Sequence, residues 1–169
     1  MTIKARFYVL KQNDEPGISV PAHFDLAAQT AASLYQAGHR IFVNVDNTDD
    51  AHLFDEHLWC FDADRFVPHN LQGEGPKGGA PVEIGTMPPA ARRPVLINLA
   101  RVVPDFIRRF EQVIDFVPVE ASAKQAARER FKQLRALGAT ISTEDIEKVK
   151  PNRSSGSRGF TRRLYPVPN

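Results

Sequence analysis

Short apolar runs alternate along this chain with longer stretches in which apolar residues recur every three or four positions. The runs at residues 5–10 (ARFYVL), 40–45 (RIFVNV), 94–99 (PVLINL) and 112–117 (QVIDFV) are short and rich in apolar residues, as in strands covered on both faces. Between the first two, Phe24, Ala27, Ala28, Ala31, Leu34 and Tyr35 share a helical face, and Gly38 offers a left-handed stop. Asp46 and Asn47 suit the cap of a helix through residues 49–59, and Pro104 opens a short helix reaching Phe110. Residues 66–84 (FVPHNLQGEGPKGGAPVEI) hold too many glycines for a helix and read as a loop. Strands alternating with helices, without an internal repeat, predict an α/β fold: a three-layer α/β/α sandwich around a mostly parallel sheet.

One further helix dominates the pattern. After Pro118 closes the fourth apolar run, residues 117–135 (VPVEASAKQAARERFKQLR) become helical, with Ser122 and Gln125 spaced as a capping box. Lys124, Arg128, Phe131, Lys132 and Arg135 fall at i, i+4, i+7, i+8 and i+11, along one face. Ala123, Ala127, Leu134 and Leu137 form another face that packs on a core. A cationic face with a ring in its middle suits an acidic partner carrying an apolar group; spacing alone fits equally a solvated helix face with an incidental phenylalanine.

Charge sharpens this picture. The net charge of +2 includes six cations after Glu147 (Lys148, Lys150, Arg153, Arg158, Arg162, Arg163) and no acid there, which leaves −4 for residues 1–147. The basic helix face therefore stands out against an acidic body. Residues 148–169, rich in Pro, Ser, Gly and Arg, read as a basic flexible extension, able to touch nucleic acid or an acidic protein through charge or simply to be solvated. The 169 residues otherwise fit one domain, residues 1–147, with ordinary hydrophobic (42%) and charged (25%) content. No apolar run approaches a membrane span, and the amino-terminal segment has no signal-peptide layout, so a cytoplasmic protein is expected. The single cysteine, Cys60, excludes an internal disulfide and a multi-cysteine zinc site.

Chemical motifs fail one after another. Gly73, Gly75 and Gly78 satisfy G-x-G-x-x-G, but Pro76 interrupts the pattern and no helix follows to hold a phosphate. Lys77 precedes its glycines, with no Ser or Thr after it to meet magnesium. Asp46, Asp49 and Asp50 lack the calcium-loop spacing and read as helix capping. His52 and His57, with Asp55 and Glu56 between them, are five apart and share no face, unlike zinc-binding H-E-x-x-H. His69 lacks a nucleophile or an orienting acid, and Cys60 beside Trp59 reads as a small buried hydrophobe. No catalytic site, cofactor or metal is expected.

Three strings carry a resemblance: FDEHLW (residues 54–59), FVPHNLQGEGPKGGAPVEI (66–84) and DFVPVEASAKQAARERFKQLRALG (115–138). Together they strongly resemble the chi subunit of bacterial DNA polymerase III, the likeness covering most of residues 4–142. The resemblance implies a nucleotide-binding-like topology without a phosphate site. It also implies a non-catalytic accessory subunit of the clamp-loader assembly, joined in a one-to-one heterodimer to the psi subunit. Such a subunit grips the acidic C-terminal tail of single-stranded-DNA-binding protein, meets DNA mainly through it, and has a repair helicase as a further partner. The tail pocket then maps to Val117, Lys124, Arg128, Phe131 and Lys132, with Arg135 added by spacing, and the psi contact to Trp59 and Phe66. The family usually has tyrosine where this chain has Phe131.

Overall fold

The computed structural model describes residues 2–14, 20–62 and 64–147; the predicted basic extension lies outside the described residues. Seven strands form one parallel sheet in the order β3-β4-β2-β5-β6-β1-β7: β1 (Lys4–Leu10), β2 (Ile41–Asn44), β3 (His69–Leu71), β4 (Val82–Gly85), β5 (Val95–Asn98), β6 (Gln112–Val117) and β7 (Thr140–Ile146). Helices α1 (Ala22–Gln36), α2 (Thr48–Cys60) and α3 (Ala121–Ala136) cross between strands, because parallel neighbours cannot be joined by a tight turn.

The pleat divides the core in two. Ile41, Val43, Val95, Ile97 and Ile114 meet Phe24, Ala27, Ala31, Phe54 and Leu58 from α1 and α2. Phe42, Leu96, Ala5, Phe7 and Val113 meet Leu134 of α3 and Ile107 and Phe110 on the other face. Three layers result, as the alternation of strands and helices predicts. Crossovers leading from β1 through β2 to β3 carry their helices on one face. Those leading back toward β7 use the other, as a uniform crossover hand requires. Neighbouring β1 and β6 are thus followed by helices on opposite faces, which makes their carboxyl ends a topological switch point.

Four expectations need correction. The glycine-rich segment is not wholly a loop: β3 and β4 lie within it, paired in register from His69–Val82 to Leu71–Ile84. The predicted helix after Pro104 shrinks to a 3-10 turn at Ile107–Arg109. Asn47 does cap α2, accepting from Asp50 N at 2.8 Å, but Asp46 instead accepts from Arg101 N at 2.8 Å. Finally, Cys60 is exposed and donates through Sγ to the Glu56 carbonyl. Among the described residues, no helix is long and apolar enough to cross a membrane.

Candidate functional site

Helix α3 starts two residues earlier than a Ser122 cap implies. The Glu120 carboxylate accepts from the N–H groups of Ser122 (2.8 Å) and Ala123 (3.0 Å), and these bonds hold it below the usual carboxylate range. No capping box forms: Ser122 Oγ accepts from Arg101 at 2.6 Å, and Gln125 donates to Glu129 at 3.1 Å.

The inner face of α3 carries Ala127 and Leu134, as the periodicity predicts, and between them Arg130, which no local signal marked. Its guanidinium grips Asp115 of β6 through Nε (2.9 and 3.1 Å to the two oxygens). It also donates to the carbonyls of Arg101 and Phe116, both at 2.9 Å. Burial pushes the Asp115 carboxyl upward, while Arg130 and the Phe116 N–H pull against it. All three guanidinium nitrogens of Arg130 thus help to fix the helix to β6 and to the loop after β5.

The outer face presents Arg128, Lys132 and Arg135 in the open, with Lys124 half-buried at its start. The Phe131 ring leans on Phe7 of β1 (centroids 5.3 Å, tilted 58°), and the Arg135 guanidinium stands 5.5 Å from its centroid. Val117, the last residue of β6, packs half-buried on the same core as Phe131. The five positions expected on one α3 face therefore do share it, beside the Val117 end of β6. Two surface partners temper the cations: Lys132 lies 3.6 Å from Glu129, and Arg128 donates to Gln125 at 3.4 Å. Both contacts are solvent-exposed and weak.

At the opposite edge, where α2 packs on β3 and β4, Trp59 lies 6.0 Å from Phe66, which is 44% exposed. His69 supports Trp59 from inside at 4.9 Å. Its Nδ1 lies 2.7 Å from the Val67 carbonyl, and Asp55 stands 3.2 Å from Nε2, too oblique for a hydrogen bond. An acid therefore does accompany His69, contrary to expectation, but the His69 side chain is itself fully buried. His57, by contrast, turns to Asp25 at 2.7 Å.

The glycine-rich turn aims carbonyls, not N–H groups, at its centre. Arg93, fully buried, donates to the carbonyls of Gly78 (2.9 Å), Ala80 (2.7 Å), Pro81 (3.0 Å) and Ile41 (3.2 Å), with Glu83 at 3.3 Å. Gly79, at φ +78°, leaves the space its guanidinium needs. Such a turn holds a cation of its own chain, the reverse of a phosphate cradle.

A cleft of about 250 Å³ opens at the carboxyl ends of the strands, lined by His23, Asp46, Asp50, Arg101 and Arg130 among others. Burial beside Phe24 and Phe116 pulls His23 down to about 4; Asp14 raises it less, and Arg130 adds slightly to the fall. Folded His23 stays neutral down to about pH 4, whereas an unfolded histidine takes its proton near ~6.5. Between those values acidification protonates only the unfolded chain, so stability falls with pH by at most about 1.4 kcal/mol per unit. His23→Gln is expected to flatten that stretch of a stability–pH curve measured by urea unfolding, and an unchanged slope would refute the assignment. Among the described residues, no group of three His, Cys, Asp or Glu side chains is placed to hold a metal ion.

A family model described as "DNA polymerase III chi subunit, HolC" matches residues 1–142. The chain is 43% identical over 141 residues to DNA polymerase III subunit chi of Escherichia coli K12, covering 82% of this chain and 95% of that protein. It is 38% identical over 148 residues to the subunit of the same name from Haemophilus influenzae (86% and 99% covered), and 28% over 144 residues to that from Pseudomonas aeruginosa (85% and 96%).

Proposed function

The chain belongs to the chi-subunit family of DNA polymerase III, and from that premise we propose that it is a non-catalytic bridge. One edge holds the acidic C-terminal tail of single-stranded-DNA-binding protein, and the other holds the psi subunit, linking the clamp loader to coated single strands. The observation that carries the first half is the α3 face itself: a half-buried ring set among Lys124, Arg128, Lys132 and Arg135.

The energetics fit a transient contact. A tail of aspartates ending in phenylalanine offers a ring, a terminal carboxylate and further negative charge. Val117 and Phe131 seat the ring, worth roughly 1.5–3 kcal/mol. Arg128 forks onto the terminal carboxylate for about 1.5–3 kcal/mol. Lys124, Lys132 and Arg135 steer the aspartates, each contributing about 0–1 kcal/mol and less in salt. Association itself costs at least ~4 kcal/mol, which leaves affinity near micromolar at best. Several tails on one coated strand then add avidity.

Trp59 and Phe66 provide the aromatic anchors for psi. The two surfaces are separated by four to five strands of the sheet, from β3 to β6 and β1, roughly 20–25 Å at ~4.8 Å per strand, so both partners bind at once. Phe66→Ala is expected to weaken psi binding about tenfold by calorimetry without altering tail binding; unchanged psi affinity would remove Phe66 from that contact. The bridge as a whole is tested by titrating the protein with a peptide copying the acidic tail, with and without its final Phe. Binding of the first and much weaker, salt-sensitive binding of the second is the expected result, and indifference to both at low ionic strength would overturn it.

A further inference from the structure

We propose that the carboxyl end of β1, through Val9 and Lys11, forms a second wall of the acidic-tail site, facing α3 across the seat. The inference rests on the tail-binding reading above and concerns residues outside the basic helix and β6. Its basis is the strand register. Val9 pairs with Val117 at the carboxyl end of β1 and β6. Phe7, two residues earlier on the same face, carries the Phe131 ring at 5.3 Å. Val9 therefore projects toward the α3 side beside Val117, one pleat beyond the residue that supports Phe131.

Val9 is half-buried at that end of the strand. A valine set at a switch point, where open α/β sheets receive ligands, is a ready contact for an incoming ring. Lys11 continues the same edge: its N–H donates to the Ile146 carbonyl at 3.0 Å, and its Nζ lies 3.9 Å from Asp145. Asp145 is itself in register with Val9 from the β7 side. The seat is thus flanked by cations from two elements, α3 on one side and Lys11 on the other. Both partners of the Lys11–Asp145 pair are largely exposed (45% and 63%), so an acidic peptide can take Lys11 from Asp145 at little cost. The occupant this geometry selects is an acidic chain end bearing a terminal aromatic ring: the ring lies between Val9, Val117 and Phe131, and the carboxylates lie between the two cationic rims.

The test uses the full chain, a synthetic acidic peptide ending in Phe, and the same peptide lacking that residue, at low salt. Val9→Ala is expected to weaken the ringed peptide about three- to tenfold and leave the ringless one unchanged. Val9→Thr, which keeps the shape and adds a hydroxyl, should show the same selectivity should the alanine variant fold poorly. Asp145→Asn should tighten both peptides about twofold, and Lys11→Ala should weaken both by about the same factor. Ringed peptide that binds the wild type but ignores the Val9 variants, an equal loss for both peptides from those Val9 variants, or unchanged binding of both peptides by Lys11→Ala overturns the second wall. If neither peptide binds the wild type, the tail-binding reading fails, and this inference with it.

Discussion

Asp115→Ala is expected to lower the unfolding free energy by about 3–5 kcal/mol, the usual cost of stripping one partner from a buried ion pair. Asp115 is completely buried on β6, and its counter-charge, Arg130, comes from α3. Without the carboxylate, the guanidinium stays enclosed among Ala127, Leu134 and the sheet with carbonyl partners alone. The loss is then the penalty of an uncompensated buried cation and not merely a missing hydrogen bond. Asp115→Asn should recover part of it, since an amide oxygen still accepts from Nε. Replacing both partners with apolar residues, Asp115→Leu with Arg130→Met, should cost far less than either single change, because no charge is left stranded. Urea unfolding at unchanged m-value provides the measurement. A loss below about 1 kcal/mol for Asp115→Ala would mean that the pair is neutral or solvated in the folded state.

Much of this architecture was legible because it is written in period. The four strands with continuous apolar runs and the helices with an apolar stripe emerge directly from spacing. So does the alignment of Lys124, Arg128, Phe131, Lys132 and Arg135 on one face. What escaped is physically different. β4 carries Glu83 at a buried position, which breaks the apolar run and is tolerated because Arg93, ten residues on, pairs with it. β7 reads TISTEDI because it is the outer edge strand with most of its length exposed, so no core stamps an alternation on it. Arg130 sits in a stretch crowded with charges, and nothing local separates the one arginine that turns inward from those that turn out. Glu120 outcompetes Ser122 as a cap because its carboxylate accepts from two N–H groups of the first turn, while the Ser122 hydroxyl is taken up by Arg101.

The same division governs the candidate sites. Local periodicity finds a helix face, but a second wall built from β1 depends on β1 lying beside β6, more than a hundred residues away in the chain. Val9 has no distinguishing mark within ARFYVL; only the register with Val117 gives it one. Trp59 and Phe66, seven residues apart, meet in contrast locally, where the chain leaves α2 for the β3 edge.

Arg128→Ala is expected to weaken binding of the acidic tail peptide by about 1.5–3 kcal/mol, roughly a tenfold to hundredfold rise in Kd. Arg128 is exposed on the outer face of α3 and, among the described residues, tied only to Gln125 at 3.4 Å, a weak surface contact to give up for a ligand. A guanidinium presents two parallel donors to a carboxylate, whereas an ammonium is a point charge. Arg128→Lys should therefore keep the long-range attraction and still lose much of the affinity. That difference should persist as salt is raised, because a fork in contact is screened less than the distant cations at Lys132 and Arg135. Folding should be untouched, since the residue is exposed on the helix surface. Psi binding should also be unchanged, because Trp59 and Phe66 sit across the sheet. Calorimetric titration of both partners against the same variant separates the cases. Loss of both together would indicate a folding defect, and retention of full tail affinity by Arg128→Ala would move the carboxylate contact away from this face of α3.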